Sequence, residues 1–186
     1  NFLEEAYEAV DALDLDDPVL MCEELGDVLM QVAFHTCMEQ ETGRFTWEQV
    51  CDGVCQKLIE RHPNIFGTQP GYEGITDWDA LKNKEKGRRT LADDLESVPR
   101  AMPALMRAAK LQKRAARHGA ALQGADAAAL ADAAENLQTA QPASAQAEQA
   151  VGELLFAAAN LARQAGVDPE QALQKANEAF CTAAGP

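Results

Sequence analysis

The amino-acid sequence predicts an all-α protein. Apolar residues recur at intervals of three and four along most of the 186-residue chain, which is the period of a helix that buries one face. Capping residues, prolines and glycines stand at the ends of these stretches. Only 5% of the residues are aromatic although 47% are hydrophobic, and alanine dominates the second half. We therefore expect helices around a thin, closely packed core.

Two helices are predicted at the start of the chain. An apolar stripe over residues 3–13 predicts the first one. The second is expected from about Val19 to Glu41. Asp17 is a suitable N-cap for this helix, Pro18 suits its first position, and Gly43 marks its end.

The third helix is predicted to begin after Thr46, because the sequence T-W-E-Q carries a capping-box pattern. It should end near Arg61, since a histidine followed by a proline disfavours continuation of the helix. The Pro and Gly content of residues 64–75 indicates an irregular loop. Asp77 is then expected to cap a short helix that begins at Trp78.

The second half of the chain predicts four further helices. Their expected ranges are 101–118, about 128–139, about 145–164, and a last helix opened by Asp168 and Pro169. The first of these four is expected to carry a basic face made of Arg107, Lys110, Lys113, Arg114 and Arg117.

The two halves look like a diverged repeat. Gly26–Met30 has the pattern of Gly152–Phe156, and the helix caps that follow, Thr46 and Asp168, each precede a Glu-Gln pair. The alternative is chance similarity between helical segments. We expect two related units, residues 1–92 and 93–186. Because the helix at 101–118 has no counterpart before Asn1, we expect that the first unit has lost, or is shown without, its leading helix.

Composition limits the partners of the protein. Thirty acidic against sixteen basic residues give a formal charge of −14, which repels phosphate backbones and disfavours nucleic acid as a partner. No apolar run is long enough to cross a bilayer and no signal peptide is visible, so we expect no membrane association and a cytoplasmic location. The five cysteines show no CxxC spacing and are expected to be free thiols.

Carboxylates cluster on the first two helices. Glu5 and Glu8 share one face of the first helix, although helix geometry does not choose between Glu4 and Glu5. Glu24 and Asp27 share a face of the second helix, where Glu24 borders the apolar stripe. Four facing carboxylates repel one another unless a hard divalent cation neutralises them, so we expect Mg²⁺, with Mn²⁺ as the alternative ion. A solvated acidic face without metal is the other interpretation.

Two cations end the third helix. Lys57 and Arg61 lie four residues apart on one face. They either complement the helix dipole or clamp a polyphosphate opposite the acidic site.

Three segments carry a resemblance to a known family. They are LEEAYEAVDAL, EELGDVLMQVAFH and VCQKLIERHPNIFG, and SVPRAMPALMRAAKLQKRA supports them further along the chain. Together they resemble the MazG family of all-α nucleoside triphosphate pyrophosphohydrolases, in which an ExxE helix precedes an ExxD helix. The resemblance implies that Mg²⁺ is bound by Glu5, Glu8, Glu24 and Asp27. It also implies that the triphosphate is contacted by Lys57 and Arg61.

The second unit departs from this pattern. The repeat alignment places Asp132, Glu135, Ala150, Glu153, Ala179 and Ala183 at the six positions of the site. One carboxylate and both cations are therefore replaced by alanine. We expect the second unit to be a degenerate, structural copy.

The residues and the resemblance together predict a Mg²⁺-dependent enzyme that hydrolyses nucleoside triphosphates to nucleoside monophosphate and pyrophosphate. Glu24 or Glu8 is expected to orient the attacking water as general base. The alternative is a catalytically silent helical interaction or regulatory module. Because the second helix is apolar over more than half of its circumference, we also expect a homodimer that completes the bundle.

Overall fold

The computed structural model describes residues 1–66, 87 and 90–185, and all regular secondary structure in those ranges is helical, as predicted. The chain divides into two compact units, Asn1–Leu81 and Lys82–Pro186. The boundary predicted from the sequence lies after residue 92. That the two units are related by an internal repeat stays a prediction. None of the described helices is long and apolar enough to cross a membrane.

The first unit begins with a helical hairpin. Helix α1 spans Phe2–Asp14 and packs along α2, which spans Pro18–Glu41. Asp17 caps α2 as predicted, since its carboxylate accepts hydrogen bonds from two backbone amides of the first turn at 2.9 and 3.2 Å. The rings of Phe2 and His35 lie 6.2 Å apart and hold the start of α1 against α2.

Helix α3 spans Trp47–Arg61 and packs on α2. The predicted capping box is present: Gln49 N donates to Thr46 Oγ1, and Thr46 N donates to Gln49 Oε1 at 2.8 Å. The expectation of an irregular loop from residue 64 is wrong at its beginning, because a short helix, α4, spans Pro63–Phe66. The fixed φ of proline suits the first position of a helix.

The rest of the predicted loop, up to residue 75, lies outside the described residues. So does the helix that was expected to begin at Trp78 with Asp77 as its cap.

The second unit is built from five described helices. They are α5 (Leu91–Glu96), α6 (Ala104–Arg117), α7 (Ala127–Thr139), α8 (Ala145–Gln164) and α9 (Pro169–Ala184). Helices α7 and α8 form the most extensive pair, while α6 contacts α5, α8 and α9. Helix α8 has 20 residues where α2 has 24, the difference of one turn that the repeat alignment requires.

Two details of the second unit differ from expectation. Helix α5 was not predicted, and its capping box pairs Thr90 with Asp93 rather than with the usual Glu or Gln. Helix α6 begins at Ala104 instead of residue 101, because Pro103 occupies the N-cap position.

The core is thin and made of small side chains, as predicted. Among the described residues, the buried apolar ones are alanines with one valine: Ala9, Ala12, Val98, Ala115, Ala125, Ala133, Ala150, Ala157 and Ala159. The predicted basic face of α6 is wrong at Arg114, whose side chain is only 9% exposed and pairs with the buried Asp94 at 3.0 Å. All five cysteines are exposed, and none forms a disulfide.

Candidate metal centre

Three carboxylates converge where α1 faces α2. Oxygen atoms of Glu5, Glu8 and Glu24 all lie within 4.8 Å of one another. Glu5 and Glu8 are one turn apart on α1, and the short connection to α2 folds the second helix back so that Glu24 faces them. Within the described part of the chain, this is the one group of three or more metal-ligating side chains at such distances.

The packing of the hairpin resolves the choice that the sequence left open. Glu5 is half-buried against α2, whereas Glu4 is exposed and lies outside the cluster. On the facing helix, Glu24 is half-buried and Glu23 is exposed, as its place beside the apolar stripe predicted. The inner carboxylate of each pair therefore faces the opposite helix.

Gln31 supports the cluster and was missed from the sequence. Its Nε2 donates a hydrogen bond to Glu5 Oε1 at 3.2 Å, and thereby fixes one oxygen of that carboxylate. A signal was present, because Gln31 follows Glu24 by seven residues and so lies two turns along the same face of α2.

Burial and like charge act on the cluster in the same direction. Desolvation raises the pKa of Glu8, and the carboxylates of Glu24, Glu5 and Glu4 raise it further. Desolvation also raises the pKa of Glu24, followed by the charges of Asp27, Glu23 and Glu5. Each of these carboxylates is thus held in a site that disfavours its own negative charge, which is the condition that a bound cation relieves.

Asp27 has a different place from the three clustered carboxylates. It is half-buried on α2, and its charge helps to raise the pKa of Glu24. Its carboxylate is not part of the group within 4.8 Å. The ligand role that the resemblance implies for Asp27 stays a prediction.

Lys57 and Arg61 lie on the last two turns of α3. Lys57 is exposed, and Arg61 is half-buried at the end of the helix. Helix α3 packs on α2, the helix that carries Glu24. The phosphate-binding roles of the two cations stay predictions.

The corresponding region of the second unit has a different composition. Asp132 on α7 and Glu153 on α8 line a cavity of about 640 Å³. Ala150, which the repeat alignment pairs with Glu24, is 3% exposed and belongs to the core. No group of three metal-ligating side chains forms among the described residues of this unit.

The donor set of the first unit fits a hard divalent cation. It is composed of carboxylate oxygens, one of which is held by Gln31, and it lacks sulfur and imidazole among the clustered groups. Mg²⁺ and Mn²⁺ prefer such oxygen ligands, and Mg²⁺ commonly keeps several waters beside one or two carboxylates. The exposure of Glu8 leaves room on one side for such waters.

Comparison with known proteins identifies relatives. The family model described as the MazG nucleotide pyrophosphohydrolase domain matches residues 1–66, which contain all the predicted site residues. A nucleoside triphosphate pyrophosphohydrolase of Escherichia coli (strain K12) is 39% identical over 187 positions, which cover 96% of this chain and 71% of the relative. A nucleoside triphosphate pyrophosphohydrolase/pyrophosphatase MazG of Thermotoga maritima is 38% identical over 180 positions, covering 96% and 69%.

A more distant relative matches a shorter stretch. The nucleoside triphosphate pyrophosphohydrolase of Mycobacterium tuberculosis is 36% identical over 121 positions, which cover 63% of this chain and 36% of that protein. The similarity to the first two relatives therefore extends through both units, beyond the 66 residues that the family model matches.

Proposed function

The chain belongs to the MazG nucleotide pyrophosphohydrolase family, and from this premise we propose that it hydrolyses nucleoside triphosphates to nucleoside monophosphate and pyrophosphate. The observation that carries the proposal is the convergence of Glu5, Glu8 and Glu24 within 4.8 Å. A triphosphate is itself an anion, so an acidic site accepts it only together with a cation. The reaction that this site supports is therefore a metal-dependent one.

Glu5, Glu8 and Glu24 are the residues that would hold a Mg²⁺ or Mn²⁺ ion, with Asp27 as the further ligand implied by the family. When bound, the ion supplies charge neutralisation, polarises phosphate oxygens and lowers the pKa of an attacking water. The hydrogen bond from Gln31 keeps the Glu5 carboxylate oriented toward α2 and in place to bind a metal ion.

Proton transfer and phosphate binding fall to separate residues. Glu24 or Glu8 accepts the proton of the water that attacks the anhydride between the α and β phosphates. Lys57 and Arg61 offset the charge that builds on the leaving pyrophosphate.

The apolar surface of the first unit supports a homodimer as the working form. In α1, α2 and α3, only Ala9, Ala12 and Thr36 are buried. On α2, Met30 is 54% exposed and Phe34, one turn further along the same face, is 66% exposed. Large exposed apolar side chains on neighbouring turns are typical of an association surface.

A cytoplasmic location and the lack of a nucleic-acid partner stay predictions from composition.

The experiment that tests the function separates pyrophosphate from orthophosphate. The protein is incubated with a mixed pool of nucleoside triphosphates and Mg²⁺, and both products are measured. We expect pyrophosphate together with monophosphates, and loss of turnover in Glu24→Gln, which removes charge but little volume. The matched control is Glu23→Gln, which removes the same charge one residue away from an exposed position and is expected to keep activity.

Three outcomes would contradict the proposal. Orthophosphate as the sole product would indicate a different enzyme. Full activity in Glu24→Gln would show that the metal site is wrongly assigned. Absence of both products from a folded protein would favour the catalytically silent interaction module.

A further inference from the structure

A cleft in the second unit differs in chemistry from the carboxylate cluster of the first unit. It has a volume of about 540 Å³ and is formed by α6, α8, α9 and the turn before α6. Most of its lining is apolar, and Leu155 and Leu173 are 47% and 48% exposed there. Cavities of this size and composition are typical of small-molecule sites.

Two guanidinium groups, those of Arg100 and Arg107, are the charged groups of this lining. Within the described part of the chain, neither side chain has a hydrogen-bond or ion-pair partner, and Nε of Arg107 is buried without one. A buried guanidinium donor without an acceptor is costly, and arginine binds carboxylate and phosphate oxygens preferentially. Arg107 therefore presents to the cleft a buried donor that suits a carboxylate or phosphate oxygen.

The lining contrasts with the rest of the chain. Acidic residues outnumber basic ones by thirty to sixteen in the whole chain, but the described lining of the cleft has two arginines and no aspartate or glutamate. Among the described lining residues there is also no serine, threonine, asparagine or glutamine side chain that would recognise the edge of a nucleobase. These features favour an anion whose body is apolar over a nucleotide.

Gly152 keeps one wall of the cleft open. Glycine inside a helix costs about 1 kcal/mol relative to alanine, and this one lies in the middle of α8. A Cβ atom added here would meet no heavy atom within 4 Å, so close packing does not explain the glycine. The missing side chain leaves space beside Phe156 instead.

We propose that this cleft binds a small amphipathic oxyanion, with its carboxylate or phosphate group on Arg107 and Arg100 and its apolar body against Leu155, Phe156 and Leu173. The site is separate from the proposed nucleotide chemistry, which the first unit carries. It assigns a ligand-binding role to a unit whose own metal site is incomplete.

Calorimetric titration of the full chain with three eight-carbon probes tests this proposal. Octanoate and octyl phosphate carry the two candidate head groups, and 1-octanol carries the same apolar body without charge. We expect at least one anion to bind with one site per chain and roughly tenfold or more tighter than the alcohol. The stronger of the two anions identifies the head group.

Matched variants locate the binding. Arg107→Gln is expected to weaken the preferred anion roughly tenfold or more, while Lys110→Gln, which removes the same charge from an exposed position on α6, leaves its affinity unchanged. Gly152→Leu is expected to reduce the affinity for all three probes by filling the cleft. Circular dichroism of each variant confirms that helix content is retained.

Several results would overturn the proposal. One is equal affinity of the alcohol and both anions, which would make the site a non-selective apolar surface. Another is an equal effect of Arg107→Gln and Lys110→Gln. A third is a failure of both anions to bind. If Arg107→Gln then also shifts the sedimentation of the protein, a second protein chain occupies the cleft.

Discussion

Asp94 is the residue whose replacement most directly tests the energetics of the second unit. Its side chain is 1% exposed, and Arg114 Nη1 lies 3.0 Å from its Oδ1. Arg117 Nη2 and His118 Nε2 lie 3.5 and 3.3 Å from the other oxygen. Asp94→Asn removes the central anion and leaves Arg114, with a 9% exposed side chain, as a buried cation without its counter-charge.

The cost follows from burial. Removing one partner of a buried ion pair destabilises a protein by about 3–5 kcal/mol, because the remaining charge stays desolvated. Arg114 keeps two contacts in the variant, to the backbone oxygen of Asp94 at 2.5 Å and to Ser97 Oγ, so we expect the lower end of that range. For a domain the size of the second unit, a loss of about 3 kcal/mol in the free energy of unfolding lowers the melting temperature by roughly 12 °C or more.

Urea and thermal unfolding followed by circular dichroism measure this loss. The matched control is Glu96→Gln, which removes a negative charge from an exposed position on the same short helix and is expected to stay within about 0.5 kcal/mol of the parent. Replacing both partners, as Asp94→Leu with Arg114→Met, should recover most of the stability. A loss below about 1 kcal/mol in Asp94→Asn, as for a surface ion pair, would refute the reasoning.

Three further predictions concern the first unit and its copy. Lys57→Ala is expected to raise the KM for nucleoside triphosphate several-fold with a smaller change in kcat. An unchanged kcat/KM would contradict the assignment of Lys57 to the phosphate site. Adding Ala179→Lys to the Glu24→Gln variant should restore no pyrophosphate release. Sedimentation at micromolar concentration should show a dimer, which Phe34→Asp weakens, whereas a 20.0 kDa wild-type monomer that hydrolyses nucleoside triphosphates would contradict the assembly. In the presence of a metal chelator, the free energy of unfolding should fall as the pH rises from 4.5, the ordinary pKa of a glutamate carboxyl, through the raised pKa values of Glu8 and Glu24. In this pH range the folded protein binds more protons than the unfolded chain, so raising the pH destabilises the fold. Glu24→Gln should reduce this slope, and an unchanged slope would show that the carboxylates do not repel one another.

Local signals in the sequence were sufficient for most helix boundaries. Asp17, Thr46 and Asp168 each cap the helix that they were expected to cap, because capping depends on residues only two or three positions apart. Helix α5 was missed for a local reason as well, since Thr90 is paired with Asp93, a shorter partner than the capping-box pattern usually has. The two reciprocal hydrogen bonds of a capping box are nevertheless present at Thr90 and Asp93.

Tertiary contacts account for the other differences. Arg114 has the helical spacing of a solvated basic face, but its partner Asp94 lies 20 residues earlier on another helix. Likewise, Glu4 and Glu5 are equivalent on an isolated helix, and the rotation of α1 against α2 selects Glu5. That rotation depends on packing between the helices, which the spacing on a single helix does not determine.

The comparison of Glu24 with Ala150 explains why regaining one carboxylate would not restore a metal site in the second unit. The repeat alignment pairs the two positions, but Ala150 is 3% exposed and belongs to the core that α8 forms, whereas Glu24 is half-buried beside water-accessible carboxylates. A glutamate at position 150 would bury a charge that the solvent does not reach, in a core made mainly of alanines. The first unit retains its acidic cluster where Glu8 stays exposed and a cation can enter. The two units therefore differ in burial at the positions that the repeat alignment pairs, and the absence of a carboxylate at Ala150 is only one part of that difference.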